Sequence, residues 1–275
     1  MTKISNQEVM HAWCNRNLRA LQLRELEILK AIDRVCRKHN LHYWLDSGTL
    51  LGAVRHGGFI PWDDDVDICM PLEEIPRFME VAKDELPEDF FVQTRETDPS
   101  CRQTYPKVRD AHSVIFESVD DLTAPYSKGL FVDIFPMIDY PRISRKHIRK
   151  WAKGYCRSNA ILHKQHCYSW RSTAELFYFG MLRAYYGLRW NMACRLHPKG
   201  PHYGTIISCS GNGNMHLHSS VFPLTEIAFE GQQFLAPHDA DAYLRDLFGD
   251  TYMQLPPEEQ RQSHALFFHA DLREG

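Results

Sequence analysis

Leu18, Leu21, Leu29, Ile32 and Val35 recur at helical spacing, and charged residues fill the opposite face. This predicts a helix over about 16–39, stopped at His39-Asn40, that packs on a sheet and carries no chemistry. Residues 41–45 read as a short strand. A small-residue turn at Ser47, Gly48 and Thr49 follows, then a helical stretch over 50–54. Val66, Ile68 and Met70 alternate with Asp65, Asp67 and Cys69, the period of a strand with one wet face. Further along, 72–86 reads as an amphipathic helix between Pro71 and Pro87, and 90–94 as a strand. Residues 105–109 with 114–117 read as a strand or hairpin, and 129–137 as an apolar strand. Two long helices are predicted over 143–166 and 173–196, and a loop over 208–214. A hairpin around Gly231, a helix from Asp239 to Phe248 and a short last helix after Pro257 complete the pattern.

The candidate chemistry lies in 45–70. Asp63, Asp65 and Asp67 share one parity, so Asp65 and Asp67 present carboxylates about 7 Å apart on one face, while Asp64 points elsewhere. Like charges on one face repel unless a cation lies between them. An oxygen-only set suits a hard ion, Mg2+ or alternatively Mn2+. The upstream glycines let backbone N–H groups approach a phosphate. Neither the Walker lysine loop nor GxGxxG is present. Arg55 can fork onto two phosphate oxygens, and His56 follows it; a surface salt bridge is the plainer role for the arginine. Asp133 is the single charge among Phe131, Val132, Ile134 and Phe135, which is costly unless it is paired or metal-bound. Removing it is expected to relieve a crowded set of negative charges.

Three stretches then carry a resemblance: YWLDSGTLLGAVRHGGFIPWDDDVDI at 43–68, GLFVDIFPMID at 129–139, and EGQQFLAPHDADAYLRDLFGDTYMQLPPEEQRQSH at 230–264. In their order and wording they resemble the LicD/fukutin family of phosphotransferases. The resemblance implies an α+β fold with a nucleotidyltransferase-like core, a small mixed β-sheet flanked by helices. It places Gly48-Thr49 in a Gly-Ser or Gly-Thr turn, Asp65-Val66-Asp67 as the D-x-D, and Asp133 as the third carboxylate on a neighbouring strand. Family members move a phospho-alcohol, such as phosphocholine or ribitol phosphate, from a CDP-activated donor to a glycan hydroxyl. On that reading Asp65, Asp67 and Asp133, with Asp63, are the metal ligands, and the first three are catalytic. Ser47, Gly48, Thr49 and Arg55 orient the donor, Lys107 and Arg109 meet its phosphates, and His264 matches a tail histidine. A choline headgroup would call for aromatic faces, for which Trp62, Tyr43, Trp44 and Tyr105 are candidates.

Composition changes the picture in one place. The chain of 275 residues has a net charge of −3, yet 140–225 holds 13 Lys/Arg and one acidic residue, Glu175, making that segment +12 and the remainder −15. It is also rich in aromatic residues, which suits a lipid headgroup layer, a lipid-linked glycan or nucleic acid. No nucleic-acid recognition motif is present, so nucleic acid is not expected, and a solvated basic face is the plainer alternative. The expected organisation is a catalytic core over 1–140, a basic helical segment over 141–225 and a tail over 226–275 that packs on the core. Eight scattered cysteines without CxxC suggest reduced thiols; His163, His166 and Cys167 match no common zinc template. There is neither a signal-peptide apolar region nor an 18-residue apolar run, so a cytoplasmic protein, peripheral at the inner membrane face at most, is expected. The rival functions are an NTP-using nucleotidyltransferase, which would need the same carboxylates, and a non-catalytic nucleotide-binding module, which would be expected to have lost one.

Overall fold

A computed structural model of the chain describes residues 6–117, 120, 123–164, 169–209 and 214–273. In chain order the elements are α1 (Asn6–His39), β1 (Trp44–Leu45), α2 (Ser47–His56), β2 (Val66–Pro71), α3 (Ile75–Glu85), β3 (Phe90–Gln93), β4 (Lys107–Asp110), β5 (Val114–Glu117) and β6 (Phe131–Pro141). Then come α4 (Arg145–Leu162), α5 (Trp170–Leu196), β7 (Lys199–Thr205), β8 (Met215–Leu217), α6 (His218–Val221), β9 (Thr225–Phe229), β10 (Gln232–Ala236), α7 (Ala240–Phe248) and β11 (Ala265–His269). A 3-10 turn at Glu258–Gln260 stands where the last short helix was expected.

The main sheet has seven strands in the order β1-β2-β6-β4-β3, with β7 and β8 continuing from β6. Only β2 and β6 run parallel; the other pairs are antiparallel. This is a mixed sheet in an α+β fold of the nucleotidyltransferase-like kind. Helix α1 covers one side with Ile28, Leu29, Ile32 and Val35 wholly buried, as the apolar spacing required. The same core takes in Trp44, Leu50, Ile68, Phe78, Phe229, Phe234 and Tyr243, so the tail is part of it.

Several elements differ from the sequence reading. Helix α1 starts at Asn6, about ten residues before the predicted start at 16. Ser47, Gly48 and Thr49 are not a free turn but the first turn of α2. β4 and β5 are not partners: β4 sits in the main sheet, and β5 pairs with β11 in a separate two-stranded sheet. Residues 141–225 are not wholly helical, because β7 returns to pair with β6. It is a long-range pairing that no local pattern encodes. The hairpin at Gly231 is present, with Glu230 and Gly231 both at positive φ, the backbone of a tight two-residue turn. Of the expected 208–214 loop, residues 210–213 lie outside the described residues.

Gly52 lets α2 lie against the following chain. A Cβ there would stand 2.5 Å from the Gly58 carbonyl oxygen and 3.2 Å from the Ile60 nitrogen, both backbone atoms that cannot swing aside. Gly52→Ala is expected to destabilise the protein by about 1–3 kcal/mol through overpacking. A lower urea midpoint with an unchanged slope is the expected result; an unchanged midpoint would remove this account of the α2 packing.

Candidate active site

Strand register builds the centre of the site. On the parallel pair β2–β6, Asp67 lies opposite Asp133. On the antiparallel pair β6–β4, Asp133 lies opposite Lys107. Two carboxylates and one ammonium therefore form a row across three strands. Lys107 Nζ is 2.9 Å from Asp133 Oδ1, with side-chain exposures of 3% and 10%. The contact is an ion pair without hydrogen-bond alignment at that oxygen. The ammonium also sits 3.4 Å from the centre of the Phe131 ring, and the Tyr105 hydroxyl donates to Asp133 Oδ2 at 3.4 Å.

The loop before β2 and the start of α2 supply the other wall. Asp63, Asp65 and Asp67 line a cavity of about 410 Å3 together with Ser47, Gly48, His264 and the α7 residues Leu247 and Phe248. Gly48 is needed for close approach: a Cβ there would be 2.6 Å from Asp63 Oδ2. That carboxylate thus stands against the first turn of α2, where unpaired N–H groups and the helix dipole favour negative charge. Ser47 holds a φ of +46°, a strained conformation for a residue with a side chain. Thr49 Oγ1 accepts the Asp67 N–H at 2.9 Å, and the Asp46 N–H donates to the Asp67 carbonyl at 3.0 Å, which locks α2 to β2.

The electrostatics are those of crowded acids. Burial, then Asp63, Asp64 and Asp133, raises Asp65 to about 8. Burial and Asp64 raise Asp63 to about 6. Asp67 is pushed well above the usual carboxylate range by burial, then Asp65 and Asp133. Opposing them, His264 is raised to about 9, chiefly by its contact with Asp64, and so carries positive charge at neutral pH.

Comparison with known proteins places this arrangement. The sequence model of the LicD/FKTN/FKRP nucleotidyltransferase domain matches residues 40–167, which contain Asp63, Asp65, Asp67 and Asp133 and all three strands of the row. The lipopolysaccharide cholinephosphotransferase LicD of Haemophilus influenzae is 30% identical over 267 residues, covering 90% of this chain and 96% of that protein. The chain belongs to the LicD family. The human ribitol 5-phosphate transferase FKRP is 45% identical over 58 residues, 21% of this chain and 11% of that protein. An uncharacterized protein of Rickettsia prowazekii is 54% identical over 48 residues, 18% of each chain.

Within this LicD-family site, the sequence-predicted residues divide. Asp63, Asp65, Asp67, Ser47, Gly48 and His264 meet at the cavity, and Asp133 and Lys107 lie in the strand row beside Asp67. Arg109 does not join them. Its guanidinium is buried, donates to Gln93 Oε1 and the Gly129 carbonyl, and lies 4.8 Å from the Phe131 ring centre, so it is spent on the fold rather than on phosphates. Arg55 is at the far end of α2 and donates to the Tyr252 and Gln254 carbonyls at 3.2 and 3.4 Å; it holds the tail. His56 is exposed and meets Trp62 edge-on. Tyr43 and Trp44 are wholly buried, bonded to Asp33 and to the Tyr243 hydroxyl, and cannot face a headgroup. Trp62 does not line the aspartate cavity; it is half-buried against the core, and Arg261 stands 5.3 Å from its ring centre. Of the zinc candidates, His166 and Cys167 lie outside the described residues, and His163 Nδ1 faces the Asn159 carbonyl at 2.8 Å. The seven described cysteines are free thiols. A larger cavity, about 650 Å3, lies between α3 and the chain before β4; among its lining residues is Tyr105, whose hydroxyl donates to Asp133.

Four residues escaped the sequence reading. Asp64 is buried and accepts the backbone N–H groups of His264 and Ala265, pinning the tail to the aspartate loop. Asp46 is buried, accepting from the Tyr243 hydroxyl at 2.7 Å and Ser47 Oγ at 3.0 Å. Gln22 of α1 donates to the Asp63 carbonyl at 2.9 Å. Glu25 of α1 is wholly buried, has no hydrogen-bond partner on either oxygen, and feels Asp65, Asp64, Asp63 and Asp133, which push it well above the usual range after burial. Helix α1 therefore does carry site residues. The signal was available: Gln22 and Glu25 fall in the middle of the apolar stripe, where polar groups need a reason.

Among the described residues no three His, Cys, Asp or Glu side chains form a ready-made ligand set. The donor chemistry nevertheless fits a hard divalent cation: every candidate is a carboxylate, burial and neighbouring acids push Asp65 and Asp67 upward, and Asp133 Oδ1 and both Glu25 oxygens lack hydrogen-bond donors. Two substitutions separate crowding from pairing. The folded value of Asp65, about 8, lies above its free value of 3.8. Native protein then holds a proton that unfolded chain has released, so this contribution is fully present below pH 3.8 and is lost as pH rises through about 8. In metal-free buffer Asp65→Asn is expected to raise the melting temperature at alkaline pH and to flatten its fall with pH. Asp133→Asn is expected to lower it, contrary to the crowding expectation, because the Lys107 ammonium is left buried and unpaired at a cost of about 3 kcal/mol. Melting curves across pH check both; a stabilised Asp133→Asn would overturn the ion-pair account.

Proposed function

We propose that this LicD-family protein is a metal-dependent phosphotransferase that moves a phospho-alcohol from a CDP-activated donor to a hydroxyl of a cell-surface glycan or its precursor. The observation that carries the reading is the row Asp67–Asp133–Lys107 beside Asp65 and Asp63, at the N-terminal turn of α2. The cholinephosphotransferase relative, matched over nearly its whole length, favours phosphocholine as the alcohol. The ribitol 5-phosphate transferase supports the same reaction class with a different alcohol, over a much shorter match.

Asp65, Asp67 and Asp133, with Asp63, are the residues that would hold Mg2+, or Mn2+ in its place. Bound there, the ion would supply charge compensation for a diphosphate and its leaving CMP and would ease loss of the acceptor proton. Ser47 and Gly48 line the cavity at the first turn of α2, and their N–H groups would receive donor phosphate oxygens. His264, charged at neutral pH, adds a cation to the cavity lining. Lys107 pairs with Asp133, and Asp133 would take the acceptor proton. Leu247 and Phe248 give the cavity an apolar side that limits water.

The test is a donor panel. Purified protein with Mg2+ is expected to release CMP from CDP-choline and not pyrophosphate from any NTP. Asp65→Asn and Asp67→Asn are each expected to fall below about a tenth of that rate with circular dichroism unchanged. Pyrophosphate release would assign the nucleotidyltransferase reaction instead. Binding of CDP-choline without CMP release, with acceptor present, would assign a non-catalytic module.

A further inference from the structure

Helix α5 has two apolar faces. One packs on α4 through Tyr186, Trp190 and Ala193, in a small core with Trp151 and Tyr140. The other is exposed. Trp170, Phe177, Met181, Leu188, Met192 and Leu196 fall on one arc of about 60–100° on a helical wheel. Their exposure is high: 92% for Trp170, 69% for Phe177 and 60% for Leu188. Tyr178 and Tyr185, both more than half exposed, lie along one edge of this arc. The stripe runs the length of a 27-residue helix, ~39 Å at 1.5 Å per residue. Only Trp190 and Ala193 of the whole helix are fully buried, and its contacts with α4 lie on the side away from the stripe, through Tyr186, Trp190 and Ala193. Exposed apolar residues scattered singly need no explanation, but an aligned stripe of this length marks a contact surface.

Charge selects the occupant. Arg171 and Arg195, both exposed, flank the stripe at its two ends. Helix α4 presents Lys146, Arg149, Lys150, Lys153 and Arg157 on its exposed face. Glu175 is the only acidic residue from 140 to 225. Two copies joined stripe to stripe would bring these like charges together, which opposes self-pairing. A helix with Trp, Tyr, Phe, Leu and Met on one side and arginines beside it matches a bilayer interface, where rings sit at headgroup depth and cations meet lipid phosphates. No helix among the described residues is long and apolar enough to cross a membrane. We infer that α5 lies in the plane of an anionic phospholipid bilayer with its exposed stripe inserted, and that basic residues of the α4–α5 hairpin hold it there. The inference does not depend on the reaction proposed above, because the surface contains none of the carboxylate residues.

The experiment is co-sedimentation of the full chain with vesicles of phosphatidylcholine alone or mixed with phosphatidylglycerol. The protein is expected to sediment with the mixed vesicles, to remain in solution with phosphatidylcholine alone, and to be released by salt. The triple variant Phe177→Ser, Met181→Ser, Leu188→Ser is expected to lose roughly tenfold or more in vesicle affinity, since three apolar side chains no longer insert. Lys146→Glu with Lys150→Glu is expected to weaken binding and its salt dependence. All five positions are exposed, so the melting temperature and the rate of CMP release from a soluble donor should be unchanged. Equal sedimentation with both vesicle types, or no loss in the triple variant, would overturn the inference. So would a dimer in sedimentation velocity that the triple variant abolishes, because the stripe would then be an interface between copies.

Discussion

Asp67 and Asp133 face each other in register on the only parallel pair of the sheet, and much of the structure manages that repulsion. Neighbouring strands are about 4.8 Å apart, so two ionised carboxylates there repel strongly in a dry setting. Lys107 on the next strand neutralises one of them. The N-terminal turn of α2 takes Asp63, and the tail backbone takes Asp64. Burial holds Asp65 and Asp67 toward their protonated forms. A protein without a use for this arrangement would gain stability by losing an acid; the fold instead surrounds it with compensating groups.

Those groups come from far along the chain. Gln22 and Glu25 approach from α1, Tyr243 reaches Asp46 from α7, and His264 and Ala265 close on Asp64 from the last strand. The aspartate loop is therefore clamped between the N-terminal helix and the tail. This explains why the resemblance extends past the catalytic stretch into 230–264. The tail is buried into the same core through Phe229, Phe234 and Tyr243, and its loss would remove walls of the cavity as well as contacts of the sheet.

The basic hairpin has a separate physical character. It joins the sheet through β7 but keeps its own small core and its own charge, opposite in sign to the remainder of the chain. Acids concentrate at the site and cations on the hairpin, so potentials of opposite sign are kept apart on one chain.

Much of this could be read directly. Alternation in Asp-Val-Asp-Ile dictated a strand with both acids on one face, because side-chain direction in a strand follows from parity alone. The lone charge in Phe-Val-Asp-Ile-Phe marked Asp133, because an apolar strand does not keep an acid without a partner. Helical spacing predicted α1, α3, α4, α5 and α7, and the charge count set the hairpin apart. Partners were another matter. That Lys107 pairs with Asp133 while Arg109, two residues on, is consumed by Gln93 and Gly129 depends on strand register and on what lies beyond the strand. That Tyr43 and Trp44 are core residues, that Arg261 covers Trp62, and that Arg55 holds the tail depends on packing between segments some 200 residues apart. Periodicity along one element determines which way a side chain faces; only the assembled sheet decides what it meets there.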